Sequence, residues 1–298
     1  MNNQIIQFLK LIRMHQWSKN LLLFVPLIVS PELDNLLLWK NLVLAFFAFS
    51  FCASLGYIIN DFYDLENDQK HPIKKLRPIA SGFFVKNYII FFAAILGALS
   101  IYLSLLVSIS FFYVLAAYFI STQIYTMIIK KIHIIDCVFL AFLYMMRIIA
   151  GCIAVNLEIS IWLLSFSLFF FFSFALLKRY SELKNHFSHN NENFGRGYTS
   201  EDLPVITNMG ISSSLISILV LGLYFNNDVI YSNYYAPKIL FFFLPILLIW
   251  ICYIWSRTLK GIEINDPISF ALTDRISLVI FIISLLIFTF ARFEIFLI

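Results

Sequence analysis

An all-α, polytopic membrane bundle of about nine spans is expected from three features of this 298-residue chain. Hydrophobic residues make up 61% and charged residues only 13%, with a mean hydropathy of +0.87, outside the range of soluble domains. Apolar stretches of the ~20 residues needed to cross a hydrocarbon core recur along the whole length. Lys and Arg gather in alternate connections between those stretches, as a fixed membrane orientation requires.

The opening residues, 2–17, are mixed and amphipathic and lack the short apolar core of a removable signal peptide, so they are expected to lie along the cytoplasmic interface. The first span, 17–33, is short and holds Pro31; Trp17 reads as its interface anchor. The second, 36–59, is almost wholly apolar. The others are 86–107, 110–130, 134–155, 159–180, 203–225, 237–257 and 275–296. Phe169 to Phe172 in the sixth could line a lipid-tail tunnel, but read first as packing. Cys52, Cys137, Cys152 and Cys252 lie in apolar runs without a C-x-x-C pair and read as buried fillers. No second domain or internal repeat is visible, so residues 1–298 are expected to form one integral membrane domain. Its catalytic loops fall at about 60–86 and 178–202. With the N-terminus inside, the cytoplasmic connections collect every Lys and Arg except Lys40, Arg147, Lys238 and Arg292. A bacterial cytoplasmic membrane with a cytoplasmic active site is the expected location. The net charge of +4 then reflects topology, and nucleic acid is not an expected partner.

Four acids and four Lys/Arg crowd into NDFYDLENDQKHPIKKLRPIASG, residues 60–82. At ~100° per residue, a helix continuing from the second span puts Asp61, Asp64 and Asp68 on one face within about 60°, with Glu66 turned away. Three such carboxylates call for a cation, and oxygen-only ligands suit Mg²⁺, which commonly joins carboxylates to substrate phosphates. The plainer alternative is a solvated loop whose acids pair with Lys70, Lys74, Lys75 and Arg77. Arg77 offers a bidentate fork for a phosphate, and Pro72 and Pro78 mark a helix end and a constrained loop.

This stretch resembles the first aspartate-rich motif, N-D-x-x-D-x-x-x-D, of the UbiA superfamily of intramembrane prenyltransferases, a fold of nine membrane helices. Its tail, with HP and RPIASG, is similar to the polyprenyl-phosphate phosphoribosyltransferase branch, the decaprenyl-phosphate enzymes. RMHQWSKNLLLFVPL, YTMIIKKIHIIDCVFLAFLYMMRIIAG, LLKRYSEL and DPISFALTDR match in order along the chain. The resemblance implies that Asn60 belongs to the substrate site with Asp61, Asp64 and Asp68. It further implies that Lys178, Arg179, Glu182 and Leu183 form the branch's K-R-x-x-E-L motif, where spacing alone shows only an ordinary i,i+4 pair. Arg196 and Tyr198 resemble that branch's following loop. The chain has no second run of three aspartates, which departs from the aromatic prenyltransferases.

Arg147 lies inside the fifth span, where a central Arg costs at least ~2.5 kcal/mol on insertion scales, so it is a functional candidate by default. Either it meets a phosphate or it holds backbone carbonyls between helices. Asp136 shares its stripe, too far along the axis to pair. Lys19 and Asn20 sit where the first span meets the cytoplasm and are expected to reach the same substrate cavity. His186 and His189 have a metal-compatible spacing but no further ligand, and read as a solvated loop. Asp266, Asp274 and Arg275 read as rim or capping residues.

The resemblance implies transfer of a 5-phosphoribosyl group from phosphoribosyl diphosphate to a membrane polyprenyl phosphate, with Mg²⁺ on Asp61, Asp64 and Asp68. Arg77, Lys130, Arg147, Lys178 and Arg179 are then the candidates for the phosphates, for cell-envelope glycan precursor synthesis. An aromatic prenyltransferase using a prenyl diphosphate, and a transporter for a phosphorylated lipid, are the competing readings.

Overall fold

The structure is a computed structural model that describes residues 2–70, 74–188, 197–262 and 267–293. Among these residues the regular structure is all helical. The α-helices are α1 (Asn2–Leu11), α2 (Val25–Val29), α3 (Leu36–Tyr63), α4 (Leu65–Lys70), α5 (Lys86–Val107), α6 (Ile109–Met127) and α7 (Ile135–Ala154). They continue with α8 (Ile161–Ser188), α9 (Leu203–Phe225), α10 (Asp228–Asn233), α11 (Phe243–Leu259), α12 (Pro267–Thr273) and α13 (Arg275–Arg292). Eight, namely α3, α5, α6, α7, α8, α9, α11 and α13 with short extensions, are long and apolar enough to cross a membrane. The protein is therefore an integral membrane protein, with eight of the nine expected spans present as long helices.

The remaining segment, 17–33, is helical but broken. A 3₁₀ helix over Met14–Phe24 passes into the short α2. Pro26 has no N–H to carry an α-ladder through this point, and Pro31 holds Ser30 extended. Ser30 seals the end, its hydroxyl donating to the Leu27 carbonyl at 2.9 Å and accepting the Glu32 N–H at 3.2 Å.

The long helices have ordinary local causes. Asn35 caps α3 by accepting the Leu37 N–H. Extended Ser108 separates α5 from α6, its N–H bonding Ser104 and its hydroxyl accepting the Phe111 N–H. Asp274 caps α13 by accepting the Ser277 N–H.

The helices pack as two compact units, residues 1–128 with 146–158, and residues 129–145 with 159–298. In the first unit α3 packs along α5 and α6, with Ser100 donating to the Ala48 carbonyl at 2.9 Å. Leu11, Ile12, Ile58, Ile79, Ile89 and Leu96 form its apolar cluster beside the polar insert. Gly151 lies on the backbone of Leu23, where a Cβ would stand 2.2 Å from the carbonyl oxygen. In the second unit α8 packs along α9, and Gly210 makes room for the Trp255 ring.

The phenylalanine run serves this packing: Phe170 stacks on Phe166 and Trp250, and Phe171 stacks on Tyr144. Cys52, Cys137 and Cys152 are buried as expected, but Cys252 is exposed because it lies on the outward face of α11, next to buried Ile251.

Candidate functional site

The polar insert folds so as to concentrate charge in the first unit. α3 ends at Tyr63, yet its ladder is not lost. The Asp64 N–H bonds the Asn60 carbonyl at 2.9 Å, and the Asp64 carbonyl accepts the Asp68 N–H at 2.8 Å, carrying helical pairing into α4. Asp61 and Asp68 are consequently both buried, Asp64 is half-buried and Glu66 is exposed.

Arg77 joins the two buried acids. Its Nη1 lies 3.2 Å from Asp61 Oδ1 and 2.6 Å from Asp68 Oδ2. The RPIASG segment sets that guanidinium: the Arg77 carbonyl accepts the Ser81 N–H at 2.9 Å, Ile79 is buried in the apolar cluster, and Gly82 turns the chain at φ 68°. A second cation reaches the same oxygen of Asp61. Arg13, itself at a left-handed φ of 49°, donates to Asp61 Oδ1 and lies 4.7 Å over the Tyr57 ring.

The donor set here fits Mg²⁺. Asp61, Asp64 and Asp68 supply only oxygen, the chemistry a hard cation prefers. Asn60 Oδ1 is a further oxygen, buried with no hydrogen-bond partner among the described residues. Among the described residues no three acid, His or Cys side chains converge on one point; Asp61 is paired with Arg13 and Arg77, and Asp68 with Arg77. The guanidinium groups thus supply the positive charge that the acid face demands.

Arg147 and Asn20 form a separate buried network in the same unit. Arg147 Nε donates to Asn20 Oδ1 at 3.1 Å and Nη2 donates to the Tyr118 hydroxyl at 2.6 Å. Asn20 Nδ2 donates to Ser50 Oγ at 3.0 Å. With both residues at most 5% exposed, these contacts satisfy the intramembrane guanidinium against neutral oxygens and the faces of Phe49 and Tyr118. Lys19 is half-buried beside Asn20 in sequence. Trp17 packs on Phe51 and donates to Ser54 Oγ at 3.0 Å.

The second unit holds the K-R-x-x-E-L segment. Arg179, 1% exposed, donates to Asp136 and to Glu182. Asp136 is wholly buried and also accepts the Tyr198 hydroxyl and its neighbour Cys137 N–H at 2.8 Å. The Tyr198 oxygen in turn accepts the Ile134 N–H at 2.9 Å. Burial pushes the Tyr198 phenol well above its usual range, reinforced by Cys137 and the hydrogen bond to Asp136, so it stays protonated and donates. Lys178 lies 3.8 Å from Glu182, and both are partly exposed; Lys130 is half-buried.

Two residues in these clusters were legible only as something else. Arg13 read as a topogenic charge, and Asp136 read as a neighbour of Arg147 along α7, whereas its partners are 43 and 62 residues distant. His189, Arg196, Pro72 and Asp266, and the side chain of His186, lie outside the described residues.

Comparison with known proteins follows the same lines. The model of the UbiA prenyltransferase family matches residues 27–272. An uncharacterised protein of Sinorhizobium fredii is 33% identical over 268 residues, 89% of this chain, which spans about half (52%) of that relative's length. The nodulation protein NoeC of Azorhizobium caulinodans is 30% identical, covering 90% of this chain and 87% of its own. Decaprenyl-phosphate phosphoribosyltransferase of Mycobacterium tuberculosis is 28% identical over 286 residues, 92% of this chain and 90% of the relative. Among solved structures, a UbiA homologue from Archaeoglobus fulgidus bound to GPP and Mg²⁺ matches with a TM-score of 0.66 at 17% identity, over 96% and 98% of the two chains.

Proposed function

The chain belongs to the UbiA prenyltransferase family, and we propose that within it this enzyme transfers a 5-phosphoribosyl group from phosphoribosyl diphosphate to a membrane polyprenyl phosphate, releasing diphosphate. The observation that carries this choice is the likeness over nine-tenths of both chains to a decaprenyl-phosphate phosphoribosyltransferase. The geometry is compatible with it: an acid face for a metal-bound diphosphate, with Arg77 beside it for a further phosphate oxygen.

Asp61, Asp64 and Asp68, with Asn60 Oδ1, would hold Mg²⁺. Bound there, the ion would neutralise the diphosphate and ease its departure. The protein's own part is positioning. Arg77, carried on the RPIASG turn, offers two parallel donors to a phosphate; Arg13, held over the Tyr57 ring, orients Asp61. Lys19, Lys130 and Lys178 are proposed for the 5-phosphate and the lipid phosphate, Arg147 and Asn20 for bracing the span below, and Arg179 and Tyr198 for orienting Glu182 and the 197–199 turn. The acceptor phosphate is already anionic, so no strong general base is required, and electrostatic stabilisation of an oxocarbenium-like ribose suffices. The active site is proposed to face the cytoplasm of a bacterial inner membrane, serving cell-envelope glycan precursor synthesis.

The test is a choice of substrates. Purified protein with Mg²⁺ should consume phosphoribosyl diphosphate when polyprenyl phosphate is added. If a prenyl diphosphate with a hydroxybenzoate gives product and phosphoribosyl diphosphate does not, the assignment is wrong.

A further inference from the structure

Gln123 sits near the end of α6, well inside a candidate membrane span, and its carboxamide faces α3. It does so at Gly56, where a Cβ would stand 3.3 Å from Gln123 Nε2, a tight contact that the glycine avoids. Thr122 Oγ1 lies 3.5 Å from the same nitrogen. The carboxamide oxygen, Gln123 Oε1, is buried and has no hydrogen-bond partner among the described residues. One turn further along that face of α3 lies Asn60, whose side-chain oxygen is in the same condition.

An unmatched buried acceptor in a membrane span is costly, so each asks for a donor that the described fold does not itself supply. The donor chemistry discriminates between ligands. A prenyl chain brings no O–H or N–H, whereas a ribose brings hydroxyl donors. We propose that Gln123 is a specificity-determining residue: its carboxamide oxygen accepts a hydrogen bond from a ribose hydroxyl of the sugar diphosphate donor. This rests on the phosphoribosyl reading above and adds to it a residue that tells a sugar diphosphate from a prenyl diphosphate. Sites built to pair with a substrate hydroxyl discriminate strongly against analogues lacking it, because the buried acceptor is then left bare.

The experiment compares the full-length protein with its Gln123→Leu variant on phosphoribosyl diphosphate and on its 2-deoxy and 3-deoxy analogues, with polyprenyl phosphate as acceptor. The wild type should prefer the ribosyl donor over one of the analogues by at least ~10-fold in kcat/KM. The variant should lose that preference, by slowing on the ribosyl donor and not on that analogue. Thermal stabilisation by Mg²⁺ with inorganic diphosphate, which has no hydroxyl, should be the same in both proteins, showing that the variant is folded with its diphosphate locus intact. Equal slowing on all donors, or no slowing, overturns the role of Gln123 while leaving the phosphoribosyl reading standing. A wild type that ignores phosphoribosyl diphosphate and turns over a prenyl diphosphate overturns both.

Discussion

Arg77→Ala removes the guanidinium that links Asp61 at 3.2 Å to Asp68 at 2.6 Å, two carboxylates no more than 5% exposed. Two charge-assisted hydrogen bonds at ~1.5–3 kcal/mol each set an upper figure of about 3–6 kcal/mol. The Arg77 side chain is 30% exposed, and Arg13 still pairs with Asp61, so solvent screening and the surviving cation cut the expected loss to about 2 kcal/mol. For a chain of this size that corresponds to a fall of about 3–6 °C in unfolding temperature. The informative comparison is with Mg²⁺ alone, followed by thermal unfolding in detergent. In the wild type the ion must compete with the guanidinium for the same oxygens; in the variant it does not. Mg²⁺ should therefore raise the unfolding temperature of Arg77→Ala by more than that of the wild type. An unchanged unfolding temperature, or an equal response to Mg²⁺, would refute the idea that guanidinium and metal serve the same carboxylates.

Asp61→Asn and Asp64→Asn should each abolish turnover with little effect on the circular dichroism spectrum; retained activity in both removes the metal-site assignment. Arg179→Met should cost ~3–5 kcal/mol in denaturant stability by stranding the charge of buried Asp136, whereas Lys178→Ala, which breaks a partly exposed pair at 3.8 Å, should cost under ~1 kcal/mol. Gly151→Ala forces a Cβ to within 2.2 Å of the Leu23 carbonyl oxygen, and about 2 kcal/mol or more of destabilisation should show as a lower unfolding temperature. Burial opposes ionisation of Asp274, but the Ser277 N–H and hydroxyl, the Tyr253 hydroxyl and Arg257 outweigh it and hold the carboxyl below its usual range. That depressed value contributes stability above the ordinary Asp pKa of ~3.9, lost as pH falls through the native value, so the gap in unfolding temperature between wild type and Asp274→Asn should close only on acidification below about pH 4.

The long spans were legible because apolar length is a local property. The 17–33 segment was not, since its 3₁₀ course depends on Pro26 and Ser30 interrupting an otherwise apolar run. Helical periodicity brought Asp61 and Asp68 to one face and turned Glu66 outward, because backbone pairing continues through Asp64 even though α3 formally ends there. The same periodicity gave no hint of Arg13, which reaches Asp61 across 48 residues. Spacing identified Lys178 and Glu182 as a pair, yet the buried member of that motif is Arg179, whose partner Asp136 comes from another helix. Local pattern thus located the acids, and tertiary packing decided which cation meets each of them.

The most direct measurement is the fate of ribose-labelled phosphoribosyl diphosphate given to the purified protein with polyprenyl phosphate. Label should enter the lipid phase in step with diphosphate release, should stop when EDTA removes Mg²⁺, and should be absent with Asp61→Asn. Label that stays in the aqueous phase, or that enters lipid equally well in EDTA, would contradict a metal-bound phosphoribosyl donor at Asp61, Asp64 and Asp68.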